Sequence, residues 1–278
     1  MNCDANFKLS TARHGAATVS DKLIGCWERR YIRFSDGTED TTTRVIWLQT
    51  ASGVGDIRVA ATRPNLRQRS GLEDCTSAEL LTLAEQDCFC GVTLFDPIAE
   101  PYPTACWPGE FYPFRFQPVI TFPEPGWLEW RDEGTCMIER APSGAYEEDW
   151  RLQSGSRSFA VHLTKREAAV TTCLYVAGDY AILARSRPLV ITEEKRLPEL
   201  ARESGFDPAR MRQLVDCEFS YARRQQSEGD YVIELSTLPW REGKPLGCAW
   251  VDGLTSGDAT VRDPKSGELW TMESLWRP

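Results

Sequence analysis

The sequence predicts a mostly β protein built as two antiparallel barrels from an internal duplication, with few short helices. Three observations carry that expectation. Short segments of alternating polarity, rich in aromatic and β-branched residues, recur along the chain. Gly, Pro, Asp and Ser bound them. One motif, finally, returns 123 positions downstream, from Gly55 to Gly178.

In chain order the expected strands are Gly25–Phe34 (GCWERRYIRF), Arg44–Thr50, Asp56–Ala60, Gly91–Phe95, Phe111–Gln117, Trp127–Trp130, Thr135–Arg140 and Tyr146–Leu152. Ser158–Thr164, Thr171–Ala177, Tyr180–Arg185, Cys217–Gln225, Asp230–Thr237 and Glu268–Trp276 follow. Helical signals are brief. Thr76 and Glu79 have capping-box spacing ahead of an apolar run, Pro198–Ser204 stops at Gly205, and Asp207-Pro208 joins a cap to a proline at the first helical position. Gly53-Val54-Gly55 lacks the third glycine of a dinucleotide-binding turn and reads as a hairpin. The proline-rich run from Pro97 to Phe114 reads as a surface loop.

The duplication rests on GDIRVAATRP at Gly55–Pro64 against GDYAILARSRP at Gly178–Pro188. Each copy follows an aromatic-bearing strand and precedes an acidic helix, and then strands resume. The expected organisation is a disordered segment at 1–20, a first barrel at 21–135 and a second at 136–278.

Composition removes whole classes of function. The 278 residues hold 32 basic and 41 acidic side chains, a net charge of −9, so no basic surface is expected for nucleic acid. Only two histidines, His14 and His162, are present, and the ten cysteines are scattered without a C-x-x-C pair. Neither a metal site nor a disulfide framework is expected, and no cofactor. No stretch has the apolar length of a membrane span, and no apolar leader precedes residue 20, so a cytoplasmic protein is expected.

Glu139, the aromatic-x-Glu-x-Trp strand of Tyr146, Glu148 and Trp150, and the turn Gly178-Asp179-Tyr180 together resemble the fungal Hri-type family of two-barrel, calycin-like (lipocalin-related) proteins, most strongly over residues 131–188. That resemblance implies a pair of calycin-like barrels and no settled activity.

Candidate site residues come from strand alternation. Tyr146, Glu148, Trp150 and Leu152 share one face, so Glu148 lies between aromatics where desolvation either shifts its pKa for acid–base work or ties it to an arginine for structure. Glu139 reaches the same interior if the two strands pair as a hairpin. In the first repeat Trp27, Arg29, Tyr31 and Arg33 share a face, as do Val45, Trp47 and Gln49. Arg58 is the candidate for holding an anionic or oxyanionic group; alternatively it and Arg29 form cross-strand ion pairs facing solvent. Tyr180 completes the ligand-facing set. His162 falls on the solvent side of its strand in this reading.

Three functions fit. The leading one is a calycin-like protein that binds a small apolar or aromatic molecule. The second is a cofactor-free lyase, isomerase or cyclase using Glu148 or Glu139 as acid/base and Arg58 for an oxyanion. The third is an interaction module with filled barrels. A homodimer is compatible with all three.

Overall fold

A computed structural model describes residues 19–108, 114–121, 123–225 and 229–278. The expected N-terminal segment therefore lies outside the described residues up to position 18. Two antiparallel sheets and three short helices make up the fold. The first sheet contains β1 (Gly25–Phe34), β2 (Glu39–Asp40), β3 (Arg44–Gln49), β4 (Val54–Val59), β5 (Asp87–Gly91), β6 (Leu94–Asp96), β7 (Thr104–Cys106), β8 (Phe114–Arg115), β9 (Gly126–Arg131), β10 (Cys136–Arg140) and β11 (Tyr146–Leu152). Its order is β6-β7-β9-β10-β11-β1-β3-β4-β5-β8, with β2 paired to β1. The second contains β12 (Ala160–Glu167), β13 (Val170–Ala177), β14 (Tyr180–Arg185), β15 (Glu218–Arg224), β16 (Tyr231–Ser236), β17 (Thr260–Arg262) and β18 (Leu269–Trp276), in the order β16-β15-β14-β13-β12-β18-β17.

The helices form where capping chemistry asks for them. Thr76 and Glu79 complete a capping box at the start of α1 (Ser77–Ala84). Asp207 accepts from the Arg210 amide at 2.8 Å ahead of Pro208 and opens α3 (Pro208–Val215), while α2 (Leu197–Glu203) carries Pro198 in its first turn.

The first sheet curls. Glu139 on β10 and Phe89 on β5 line one cavity although β11, β1, β3 and β4 lie between their strands in the sheet order. The described pairings still run as an open path in each sheet. The change of sheet falls between Leu152 and Ala160, which corrects the expected division at 135/136. Cys136–Arg140 and Tyr146–Leu152 pair with β9 and β1 rather than with the later strands, because their apolar faces complete the first interior.

Both sheets contain the same run of elements. β1, β3 and β4 form a meander, the chain leaves through α1, and β5 returns to pair with β4. β12, β13 and β14 do likewise before α2, α3 and the return of β15. The two G-D motifs stand inside β4 (Gly55-Asp56) and in the turn that leads into β14 (Gly178-Asp179).

The outer face of the first sheet packs on the second. Ile46, Leu48, Ile57 and Cys90 share one core with Tyr175, Ile182, Phe219 and Tyr221. Val161, Leu163, Leu174 and Val176, on the opposite face, form a separate core with Ile233, Val251 and Trp270. Gly53 and Gly55 permit the close approach. A Cβ on Gly53 would stand 2.7 Å from the His162 ring and 2.8 Å from Tyr175, and one on Gly55 would stand 3.0 Å from Ile182. His162 is consequently 8% exposed, stacked on Tyr175 with centroids 4.5 Å apart and bonded through Nδ1 to Ser52 Oγ at 3.0 Å. The expected solvent-facing imidazole is corrected: the face taken as outer is the face that meets the other sheet. The nine described cysteines are all buried.

Overpacking this contact should be costly. Gly53→Ala is expected to destabilise by about 1–3 kcal/mol in urea unfolding, whereas Gly257→Ala, with nothing within 4 Å of its added methyl, should change little. Equal effects would show that the glycine gap does not set the sheet spacing.

Candidate functional site

The tight hairpin of β10 and β11 places Glu139 directly opposite Glu148, both pointing into the curl of the first sheet. Glu139 is 3% exposed. Its Oε2 accepts from Trp150 Nε1 at 3.1 Å and its Oε1 from the Tyr146 hydroxyl at 3.5 Å. Neither donor is charged, and among the described residues it has no ion-pair partner. Space for its carboxyl is left by Gly126 on β9, where a Cβ would lie 2.5 Å from Oε1. Burial, reinforced by the charge of Glu148, pushes Glu139 up to about 8, so it is largely a neutral acid at pH 7.

Glu148 has a different environment. Arg29 Nη1 donates to its Oε1 at 2.7 Å, and each side chain is 5% exposed. Arg29 also reaches Asp40 at 3.4 Å. A register shift in β1 between Arg29 and Tyr31 makes this pairing possible, because it turns Ile32 and Phe34 inward after Arg29 and sends Tyr31 and Arg33 outward.

On β4, Arg58 Nε donates to Asp56 Oδ1 at 2.8 Å. Burial raises the Asp56 pKa against the opposing pull of Arg58. Burial would lower Arg58, but the negative charges of Asp56 and Glu148 outweigh it and hold the guanidinium well above its ordinary range.

Aromatic rings form the remaining wall. Trp47 meets Trp107 and Trp150 edge-on, with centroids 5.3 and 5.6 Å apart. Gln49 fixes this arrangement from below. Its Oε1 accepts from Trp47 Nε1 at 3.1 Å and from Thr93 Oγ1 at 2.7 Å, and that hydroxyl accepts from Trp107 Nε1 at 3.0 Å.

These groups enclose a cavity of about 60 Å³, room for about four waters or the small end of an organic molecule. Arg58, Asp87 and Thr121 also line a wider cleft of about 380 Å³, so the two spaces meet at those residues. The outer cleft has the size of an ordinary ligand pocket.

Of the sequence-predicted residues, Glu139, Glu148, Arg58, Trp47, Tyr146 and Trp150 converge on the inner cavity. Gln49 supports it without lining it. Trp27 is buried beside Trp47 and Leu152, its Nε1 donating to Leu23 O at 2.8 Å, and does not line the cavity. Tyr31 is directed by the register shift to the outer face, where its hydroxyl bonds Glu147 at 3.1 Å. Tyr180 belongs to the second sheet, bonds Ser154 O and stacks on Tyr221, and lies outside the cavity. The paired glutamates stand in the first sheet, not in the second barrel expected at 136–278. Sequence reasoning passed over Arg29 as the partner of Glu148, although the two lie near the centre of paired strands. It also missed Asp87, Phe89, Trp107 and Glu124, of which Trp107 sits in a proline-rich run without periodicity to betray its direction.

No family model and no curated protein matches this sequence. The fold is similar to that of a solved structure, the uncharacterized protein YLR301w from Saccharomyces cerevisiae, at TM-score 0.56 and 13% identity, over 90% of this chain and 98% of that one. The likeness is one of fold. No helix among the described residues is long and apolar enough to cross a membrane.

Two expectations follow. The folded protein keeps the Glu139 proton up to about pH 8, while the unfolded chain releases it near the ordinary value of 4.5. The folded state therefore binds more protons in that window, and stability falls as pH rises through it. Glu139→Gln should flatten this fall when urea midpoints are compared at pH 5 and pH 8.5; an unchanged slope would assign the fall to other groups. Glu148→Gln leaves Arg29 buried beside a neutral amide and should cost roughly 3 kcal/mol. A melting temperature equal to that of the parent protein would mean that the ion pair is not needed for folding.

Proposed function

We propose that the chain is a calycin-like protein whose first curled sheet binds a small molecule with an apolar or aromatic body and a polar end. The convergence of three tryptophans, two phenyl-bearing side chains and the hydrogen-bonding acid Glu139 on one cavity, open toward a larger cleft at Arg58, carries this reading. The aromatic walls supply apolar contact area, and Glu139, Glu148 and Arg58 orient the polar end. The matched order of strands and helices in the two sheets supports descent from a duplicated unit, as in the resemblance to the fungal Hri-type family.

A second reading is favoured by one observation, the unequal environments of the paired glutamates. A neutral acid titrating near 8 opposite an arginine-paired carboxyl can exchange a proton with a bound carbonyl or carbon acid. In that case Glu139 is the acid/base, and Arg58 stabilises negative charge that develops on oxygen.

The test is direct. Freshly purified protein is examined by native mass spectrometry for a retained molecule, and its tryptophan fluorescence is titrated with indole, phenols and small aromatic ketones. Saturable quenching that Glu139→Gln weakens by about tenfold, worth ~1.4 kcal/mol, is the expected result. No retained mass and no saturable response from any probe would refute the binding reading. Exchange of solvent deuterium into a bound ketone, followed by NMR and lost in Glu139→Gln, would select the proton-transfer reading over simple binding.

A further inference from the structure

The two spaces that meet at Arg58 differ in the balance of charged groups that line them. Five carboxyl groups and two guanidiniums of the described residues line the inner cavity. Four guanidiniums and three carboxyl groups line the outer cleft. An organic ligand that enters from the outer cleft and reaches inward therefore passes from a lining of nearly balanced charge to one in which carboxyl groups outnumber guanidiniums.

Two side chains make the polarity specific. Glu139, at the inner end, is a carboxyl 3% exposed, hydrogen-bonded only by a neutral indole and a neutral phenol, and in no ion pair among the described residues, although the charge of Arg58 acts on it. It faces Trp47 and Trp150, whose rings form the kind of wall against which an alkylammonium is held by cation–π attraction. Arg196, which reaches the outer cleft from the N-cap of α2, is held loosely. Its contacts are 3.3 Å to Thr121 Oγ1, 3.4 Å to the Glu85 carbonyl and 3.9 Å to the Glu85 carboxylate, and its side chain is 32% exposed. Guanidinium donors so placed remain available for a ligand carboxylate.

The geometry points to a zwitterionic ligand, an aminocarboxylate whose ammonium end enters the tryptophan-lined cavity against Glu139 while its carboxylate end stays in the outer cleft against Arg196. This rests on the reading of the first-sheet cavity as a ligand site and adds the class of ligand to it. The inner volume of about 60 Å³ admits an ammonium with one or two carbons, and the rest of the chain lies in the outer cleft. An ω-amino acid with its charges separated by several methylenes fits this division better than an α-amino acid, whose charges stand on one carbon.

The experiment titrates the full chain with glycine, 4-aminobutanoate, 5-aminopentanoate and 6-aminohexanoate, followed by isothermal calorimetry and tryptophan fluorescence. N-acetylated and carboxamide derivatives, and butylamine, serve as controls. Saturable binding that is tightest at one of the longer chain lengths, and at least tenfold weaker after N-acetylation, is expected. Arg196→Ala should weaken the zwitterion about tenfold and leave butylamine unchanged, and Glu139→Gln should remove the preference for the free amine. Equal affinity for acetylated and free ligands would overturn the inference, and so would an Arg196→Ala variant that binds the zwitterion normally. If indole and neutral ketones bind while no aminocarboxylate does, the zwitterion assignment falls and the cavity reading stands. If nothing in either set binds, both fall.

Discussion

The close approach of the two sheets at β4 sets the rest of the architecture. A sheet with one face pressed on a second sheet can leave its other face to solvent, but an apolar other face, here with Trp47 and Trp150, is buried by curling or by another layer. Gly53 and Gly55 let β4 lie against Tyr175 and Ile182 without intervening side chains, so the opposite side of the same strand becomes the inner wall of the curl. Asp56 and Arg58 stand on that inner side because the glycines stand on the outer one. The sequence G-V-G-D-I-R thus encodes both a packing surface and a charged cavity wall in alternate positions.

Alternation explains which parts of the fold and site were legible in the sequence. The strand Tyr146–Leu152 is regular, and its inward face was read correctly from residue spacing alone. Glu139 followed from the hairpin that joins the two strands. The capping box at Thr76, the Asp207 cap and the proline positions marked the helices for the same reason: their chemistry is local. Alternation fails where the ladder is irregular. The register shift after Arg29 places Tyr31 on the outer face, so a face assigned to Trp27, Arg29, Tyr31 and Arg33 together does not exist. His162 was misread for a different reason. Its strand alternates normally, but both of its faces are buried, and pattern alone cannot tell a sheet–sheet contact from a solvent face.

The assignment of strands to sheets was also beyond local signals. The G-D motifs at Gly55 and Gly178 fall at β4 and just before β14, and an offset between two short motifs does not say where one sheet ends. β10 and β11 join the first sheet because Trp150 and Met137 have apolar partners there, and such a choice is made by non-local packing. The loop that supplies Trp107 makes the same point, since its direction is set by Thr93 and Gln49 rather than by its own sequence.

The inner cavity keeps two glutamates where an apolar core would be easier to build. A buried ion pair such as Arg29–Glu148 gains little over well-packed hydrophobic residues, and a buried acid without a cation, such as Glu139, costs stability as soon as it ionises. The Trp47, Trp150 and Gln49 network packs the centre of the curl beside them. Unfavourable groups at the focus of an otherwise well-packed fold are characteristic of sites, where local stability is given up for chemistry. The direction of the asymmetry matters as well: the partnered carboxyl is the one nearer the arginine-lined cleft, and the unpartnered one faces the tryptophans. A cation of the protein's own could have been placed beside Glu139, as Arg29 is beside Glu148. Among the described residues no ion pair reaches Glu139, which leaves that carboxyl to be neutralised either by a proton or by whatever enters from outside.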